Sequence, residues 1–325
     1  MRVPPSEKQE IIRIVERSEL GVNRTLKELG IHKSTFYKWY HIYVEKGMEG
    51  LLPQKKTRRQ WNSIPEPQKQ LVVEVALEHT ELSPRELSVK ITDEQKIFIS
   101  ESSVYRILKE KGLITTPAFI LLSASNEFKN KTRFVHELWQ TDFTYFKILG
   151  WGWYYLSTIL DDYSRYIIYW ELCKTMMATD VERSVDKALA IACLEKGQRP
   201  KMLSDHGSCY IAAELKEYLH SKGVVPIHGK VNHPQTQGKI ERYHRSMKNI
   251  VNLDNYYCPD ELIEAINKFV NYYNHRRYHE SLDNVTPADV YWGKKDQILR
   301  RREKIKIQNM KMRRAIYATE KLNNI

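Results

Sequence analysis

No cysteine precedes Cys173, and the four present, Cys173, Cys193, Cys209 and Cys258, include no CxxC pair. That pattern excludes a disulfide framework and argues against a zinc module, leaving reduced thiols in an intracellular protein as the simplest reading. Long apolar runs are missing as well. The best, Ala118 to Leu122, falls far short of the roughly 20 residues of a membrane span, so no membrane is expected as a partner. The opening Met1-Arg2-Val3-Pro4-Pro5-Ser6 has no apolar signal core or cleavage site, and export is not expected. Acidic residues are outnumbered: 52 Lys and Arg stand against 40 Asp and Glu, giving a net charge of +12.

What is present fits a polyanion-binding chain of two or three domains, with 325 residues, 42% hydrophobic content and a mean hydropathy of −0.57. The charge is uneven. Residues 1–138 carry a net +5 and residues 294–325 a net +8, while 139–293 sit near neutral at −1. Basic flanks around a neutral centre suit phosphate contacts outside and acidic chemistry inside.

The first 52 residues have the pattern of a helix-turn-helix domain. Ser6 and Gln9 could form a capping box before an apolar face of Ile11, Ile12 and Val15. A short helix follows from Val22 to Leu29, then a turn at Gly30, then a third helix from Lys33. Its front offers Lys33, Ser34, Thr35, Tyr37 and Lys38 as DNA readers, while Phe36, Trp39 or Tyr40, and Tyr43 have the spacing of core residues. A basic linker, 53–60, contributes Arg58 and Arg59 as backbone contacts, or serves only as a solvated connector. A second helix-turn-helix or winged-helix-like domain is expected over 61–115. Ser83-Pro84-Arg85-Glu86 reads as its capping box, Ser103 and Arg106 as DNA contacts, and Leu113-Ile114 as the start of a small wing. A linker, 116–136, follows.

From 138 the periodicity changes to that of strands. Leu138–Phe146, Trp153–Leu160 and Tyr166–Glu171 predict an antiparallel meander; helices from Thr179 and Ala212 then alternate with strands near Met202 and Val224–Ile227. Three meandering strands followed by αβαβα is the order of a ribonuclease H-like core, here over 137–293. The fold class is therefore α/β, a mixed five-stranded sheet with helices, preceded by all-α helix-turn-helix domains. The basic tail, 294–325, is read as phosphate-contacting, assembly-promoting or disordered.

Three carboxylates in this half are candidates for one site. Asp142 lies in the first strand, Asp205 ends the fourth, and Glu241, with 35 residues between it and Asp205, falls on the opening turn of a helix. Two hard cations roughly 3.5–4 Å apart need such shared oxygen ligands for phosphodiester chemistry. Lys239, Arg245 and Lys248 neighbour Glu241, the last two on its helical face, and are assigned to phosphates. The Gly229–Gly238 loop is expected to order over substrate. Asp161 and Asp162 are read as turn-capping, Glu171 and Asp180 as surface or cap positions, and His228, His233 and His244 as loop or DNA-contacting rather than zinc ligands.

Trp139-Gln140-Thr141-Asp142, Leu160-Asp161-Asp162-Tyr163-Ser164-Arg165, Ser204-Asp205-His206-Gly207-Ser208 and His233-Pro234-Gln235-Thr236-Gln237-Gly238-Lys239-Ile240-Glu241-Arg242 together resemble the DDE transposases of bacterial insertion sequences, with a retroviral-integrase-type core. Asn274-His275-Arg276-Arg277-Tyr278-His279 and Thr286-Pro287-Ala288-Asp289-Val290-Tyr291 extend the likeness, and the helical front is similar to the IS3 and IS481 groups. The resemblance implies a catalytic and metal-binding triad of Asp142, Asp205 and Glu241, with two Mg²⁺ ions for which Mn²⁺ can substitute. It also implies binding to terminal inverted repeats in double-stranded DNA, 3′-end cleavage and strand transfer by a homo-multimer, and a cytoplasmic, nucleoid-associated location. Two departures stand out: His206 replaces the usual asparagine after the second aspartate, and no His-His-Cys-Cys module precedes the core. The alternatives are a non-catalytic DNA-binding regulator, against which the three intact carboxylates count, and a stand-alone ribonuclease H-like nuclease, against which the helical front end and the 35-residue spacing count.

Overall fold

The computed structural model describes residues 4–18, 20–52, 60–114, 132–192, 194, 197–228, 238–252, 254 and 256–323. These divide into two compact units, residues 1–63 with 313–325, and residues 64–312. The basic linker with Arg58 and Arg59, the residues after Ile114 expected to complete a wing, and the 229–237 loop with His233 lie outside the described residues.

In the first unit, α1 (Pro5–Arg17), α2 (Val22–Glu28) and α3 (Lys33–Leu51) enclose a small core of Ile11, Ile12, Val15, Leu26, Phe36 and Leu51. Trp39, Tyr40 and Tyr43 pack against it, so both of the offered alternatives at 39 and 40 serve the core, and Ile31 joins them. Ser6 does not cap α1. The helix begins one residue earlier at Pro5 with Pro4 in the capping position and no side-chain cap, because proline's fixed φ suits a first helical turn.

The second unit opens with α4 (Glu66–Glu78), α5 (Pro84–Gln95) and α6 (Glu101–Glu110), packed around Val72, Leu87, Ile91, Ile99 and Val104. The Ser83 capping box forms: Glu86 N donates to Ser83 Oγ at 3.3 Å, and Ser83 N donates to Glu86 Oε2 at 3.0 Å. Helix α6 begins at Glu101 behind Ser100.

Beyond these lies a five-stranded sheet of order β3-β2-β1-β4-β5, comprising β1 (Leu138–Ile148), β2 (Gly152–Asp161), β3 (Ile167–Cys173), β4 (Lys201–Ser204) and β5 (Val225–His228). The first three are antiparallel neighbours, while β4 and β5 join in parallel. That mixed order, with the helices that follow, is the expected ribonuclease H-like arrangement. Alternate residues of β1 and β2 face opposite layers. One face buries Phe146, Ile148, Tyr154 and Leu156 against α10 (Gly238–Val251) and α11 (Pro259–His275). The other buries Trp139 and Ile159 against α7 (Ala178–Ala192) and, beyond the short α8 (Ser208–Ile211), α9 (Ala213–Ser221).

After α12 (Pro287–Tyr291) the chain forms α13 (Lys295–Asn323), 29 residues long. The disordered-arm reading of this tail is therefore corrected. The stretch contains no glycine or proline and is rich in Lys and Arg, both strong helix formers. Its Arg302 grips Asp93 of α5 through Nε at 2.8 Å and Nη2 at 2.6 Å. Arg301 and the Tyr278 hydroxyl reach the same carboxylate at 3.4 Å, and Asn309 donates to the Lys96 carbonyl at 3.0 Å. The second helical domain is thus bonded to the sheet domain and to α13. No helix among the described residues is long and apolar enough to cross a membrane.

Candidate active site

Asp142 and Asp205 are brought to neighbouring places by the register of the parallel β1–β4 pair. The last parallel pair between β1 and β4 is Gln140 with Leu203, and each aspartate follows two residues later, Asp142 within β1 and Asp205 just past the end of β4, on chains spaced about 4.8 Å apart. Both carboxylates act on the same two neighbours. Burial pushes the Cys209 thiol up to about 11, with Asp205 and then Asp142 adding to the rise. Burial likewise raises the Tyr210 phenol well above its usual range, the hydrogen bond with Thr141 opposing and Asp142 and Asp205 contributing.

Among the described residues neither carboxylate is saturated by protein donors. Asp205 is exposed and accepts from Gly207 N at 2.8 Å. Asp142 retains 22% of its side-chain surface, and its Oδ2 lies 3.4 Å from His244 Nδ1. The other nitrogen of that ring, Nε2, stands 3.4 Å from Thr158 Oγ1, and Thr158 is the cross-strand partner of Asp142. His244 is buried on α10 and holds one face of Asp142, which corrects its reading as a loop or DNA-contacting residue. His228 ends β5, where its Nδ1 lies 3.2 Å from Ser204 Oγ, and the exposed His206 ring stands 5.6 Å from it.

Helix α10 is pinned to the sheet at its first turn. Ile240 N donates to Gln140 Oε1 at 3.1 Å, and Lys239 Nζ reaches Asp162 Oδ2 at 2.6 Å and the Asp162 carbonyl at 2.8 Å. Asp162 also accepts from Gln140 Nε2 at 2.7 Å and Thr132 Oγ1 at 2.6 Å. Glu241 follows directly, exposed, on the helical face that His244 and Arg245 share at i+3 and i+4. It does not close with the aspartates: among the described residues no three His, Cys, Asp or Glu side chains come near enough to hold one ion. Like-charged carboxylates repel, which favours a glutamate turned to solvent. The two aspartates nevertheless fit a hard divalent cation, being incompletely satisfied oxygen donors on rigid neighbouring strands.

The rival carboxylates are structural. Asp161, fully buried, accepts from His136 N at 2.8 Å, Ser164 N at 2.7 Å and Ser164 Oγ at 2.6 Å. Burial raises its pKa, opposed by those hydrogen bonds. Asp180 accepts from Thr175 Oγ1 and Met177 N at the start of α7 and pairs with Arg183, which also grips Glu171.

Several residues assigned to phosphates have other partners. Lys239 is held by Asp162, as above, and desolvation lowers its pKa despite that neighbour. The Lys248 ammonium lies 4.4 Å from the centre of the Tyr145 ring, with its pKa lowered by burial and supported by Asp142. Arg106 folds back on its own helix, to the Ser102 carbonyl at 3.1 Å and Ser103 Oγ at 3.2 Å. A sequence displays a cation but not the distant acceptor that engages it. Arg245, Lys33, Ser34, Tyr37 and Lys38 are exposed, and Thr35 is half-buried.

Residues 134–234 and 222–287 match the integrase core domain, and 5–52 and 35–108 match homeodomain-like domains. The chain is 25% identical over 158 residues to the transposase for insertion sequence element IS904 of Lactococcus lactis, covering 47% of this chain and 60% of that protein. It is 26% identical over 155 residues to the putative transposase InsK for IS150 of Escherichia coli, covering 47% and 54%. The chain thus spans a little over half the length of these relatives. Among solved structures, the HTLV-2 integrase catalytic core domain in complex with magnesium aligns at 20% identity and a TM-score of 0.39, covering 49% of this chain and 97% of that one. The simian T-cell lymphotropic virus intasome aligns at 16% identity and a TM-score of 0.43, covering 68% and 74%. The chain carries an integrase core behind homeodomain-like domains, and its resemblance to insertion-sequence transposases is borne out.

Proposed function

We propose, from an integrase core that resembles those of insertion-sequence transposases, that this protein binds the terminal inverted repeats of a mobile element, cuts a 3′ end and joins it to target DNA. The observation that carries the reading is the pair Asp142 and Asp205, two incompletely satisfied carboxylates on adjacent strands beside a helix whose first turn bears Glu241. Direct in-line displacement at phosphorus needs no covalent protein intermediate.

Asp142, Asp205 and Glu241 would hold two Mg²⁺ ions, with Mn²⁺ as a substitute, and these ions would supply the charge that activates the attacking oxygen and steadies the leaving one. His244 orients Asp142 by fixing its Oδ2 side. The Asp162–Lys239 pair and the Gln140–Ile240 bond fix the axial position of α10, so that only the Glu241 side chain has to turn inward. Arg245 faces the phosphates flanking the scissile one. In the helical domains, Lys33, Ser34, Thr35, Tyr37 and Lys38 address the repeat, with Arg58, Arg59, Ser103 and Arg106 in supporting contacts. Work on two element ends implies a homo-multimer, acting in the cytoplasm on nucleoid DNA.

The test is cleavage and strand transfer on labelled element ends with Mg²⁺ or Mn²⁺, comparing wild type with Glu241→Gln. Metal-dependent nicking and joining that disappear in the variant, with end binding retained, are expected. End binding without wild-type cleavage would favour a DNA-binding regulator, and cleavage unaffected by the change would remove Glu241 from the site.

A further inference from the structure

The hairpin of β1 and β2 runs on past β4. Parallel pairing of β1 with β4 stops at Gln140, whereas antiparallel pairing with β2 continues to Ile148 opposite Gly152. Gly150 and Gly152, with φ of 81° and 91°, make the tight reversal. Between them Trp151 donates from Nε1 to the Tyr257 carbonyl at 2.9 Å, which ties the tip to the chain just before α11.

This arm carries apolar side chains that no core covers. Tyr145 is 58% exposed and Trp153 51%, with Trp151 and Leu149 exposed beside them. Single exposed apolar residues are ordinary, but a group of them on one element marks a surface that meets something. Tyr145 and Trp153 touch edge to face, their ring centres 5.5 Å apart and their planes at 73°. With Lys147, Leu149, Lys248 and Asn252 they line a cleft of about 380 Å³ between the hairpin and the end of α10. Ligand sites occupy roughly 300–1,000 Å³, so the cleft admits a small planar group.

The cations choose the occupant. The Lys248 ammonium lies 4.4 Å from the centre of the Tyr145 ring, and that of Lys147 lies 5.6 Å from the centre of the Trp153 ring. Asp254 is the one acid among the described lining residues. Protein–protein interfaces are depleted in lysine at their cores, whereas aromatic rings flanked by lysine suit a ligand that is both flat and anionic. Inside a duplex the base faces cover one another, so only a base out of the stack has a face to offer. Tyr145 stands three residues beyond Asp142 on the same strand, about 10 Å at ~3.4 Å per residue, which equals about three nucleotides of a stacked strand.

We propose that Tyr145 and Trp153, with Lys147 and Lys248, form a stacking platform for an unpaired base of single-stranded DNA. The strand that passes the two aspartates would be held open within about three nucleotides of the phosphate that is cut. The platform stands on the rings, the cleft and the lysines, while the placing of its base near a scissile phosphate rests on the function proposed above.

The experiment uses the full chain with Trp153→Ala, Tyr145→Ala and Trp153→Phe, and with Trp292→Ala as an exposed tryptophan elsewhere. Both platform rings are more than half exposed, so their removal leaves the core intact. Binding of a fluorescent single-stranded oligothymidine is followed by anisotropy. Wild type and Trp292→Ala are expected to bind alike, each platform alanine variant about 5- to 150-fold more weakly for the loss of one stacked base, and Trp153→Phe close to wild type. Metal-dependent cleavage is then compared on fully paired element ends and on ends mismatched about three nucleotides from the cut. Trp153→Ala should approach the wild-type rate more closely on the mismatched ends, which supply the opening that the ring no longer holds; an equal deficit on both would overturn the placement. Unchanged oligothymidine affinity in both alanine variants overturns the platform, and if those variants also sediment as smaller assemblies than wild type, the face belongs to a second copy of the chain. Affinity that depends on the rings, in a chain that cuts no DNA, would keep the platform and remove the transposase reading. Normal cleavage beside unchanged oligothymidine affinity would do the reverse.

Discussion

Two pairs of aspartates lie a few residues apart on the same sheet and behave as opposites. Asp161 and Asp162 close the β2–β3 turn with their oxygens taken up by backbone amides, hydroxyls, an amide side chain and a lysine. Asp142 and Asp205, on β1 and at the end of β4, are met by one imidazole and one backbone amide among the described residues. Residue type is the same in both. What separates structure from function is whether the protein supplies its own donors, and a carboxylate left partly unanswered at a rigid strand edge is available to a cation.

The sharpest way to break this contrast is to neutralise each pair in turn. Asp142→Asn or Asp205→Asn is expected to reduce metal-dependent DNA cleavage by three orders of magnitude or more, at least about 4 kcal/mol of transition-state stabilisation, while thermal unfolding shifts little. Collapse of the fold in either variant would place that aspartate with the structural pair. Asp161→Ala should do the reverse, costing about 3–5 kcal/mol in denaturant unfolding, because it strands two buried backbone amides. Asp162→Asn keeps the shape but removes the charge facing Lys239, with an expected loss of about 1–3 kcal/mol.

A milder test carries the contrast to unanswered positive charge. The folded protein holds His279 near 3, so below about pH 6.5 the unfolded chain accepts a proton that the folded one refuses. Stability should therefore fall as pH drops from 6.5 toward 3. His279→Asn should flatten that fall by about 0.5–1 kcal/mol per pH unit, less than the full ~1.4 because the ring is partly exposed. The smallest effect is expected at Glu86, a carboxylate answered at a helix end. Ser83→Ala should cost about 1 kcal/mol in thermal or denaturant unfolding.

Much of the fold was legible because it is written in short-range pattern. Alternation in Leu138–Phe146 and Trp153–Leu160 marked two strands, and Ser83-Pro84-Arg85-Glu86 marked a helix start within four letters. Asp142 and Asp205 fall on neighbouring parallel strands, as their places in two strand-like runs led one to expect, whereas the Glu241 side chain is not brought to them. Partners across long separations could not be read. Lys239 meets Asp162 at 77 residues' distance and His244 meets Thr158 at 86, and neither bond leaves a periodic trace. Ser6 misled because the Pro4-Pro5 pair ahead of it starts the helix first. The disordered alternative for the tail failed because its dense charge hid an uninterrupted helix propensity.

The grip of Arg302 on Asp93 spans 209 residues of chain. During synthesis at about 5–20 residues per second, the second helical domain would emerge some 10–40 s before the arginine that holds it. In that interval the sheet domain would be made while its neighbour lacked this clamp. The ribosome therefore sets an order of assembly, in which this bond between domains is among the last to close.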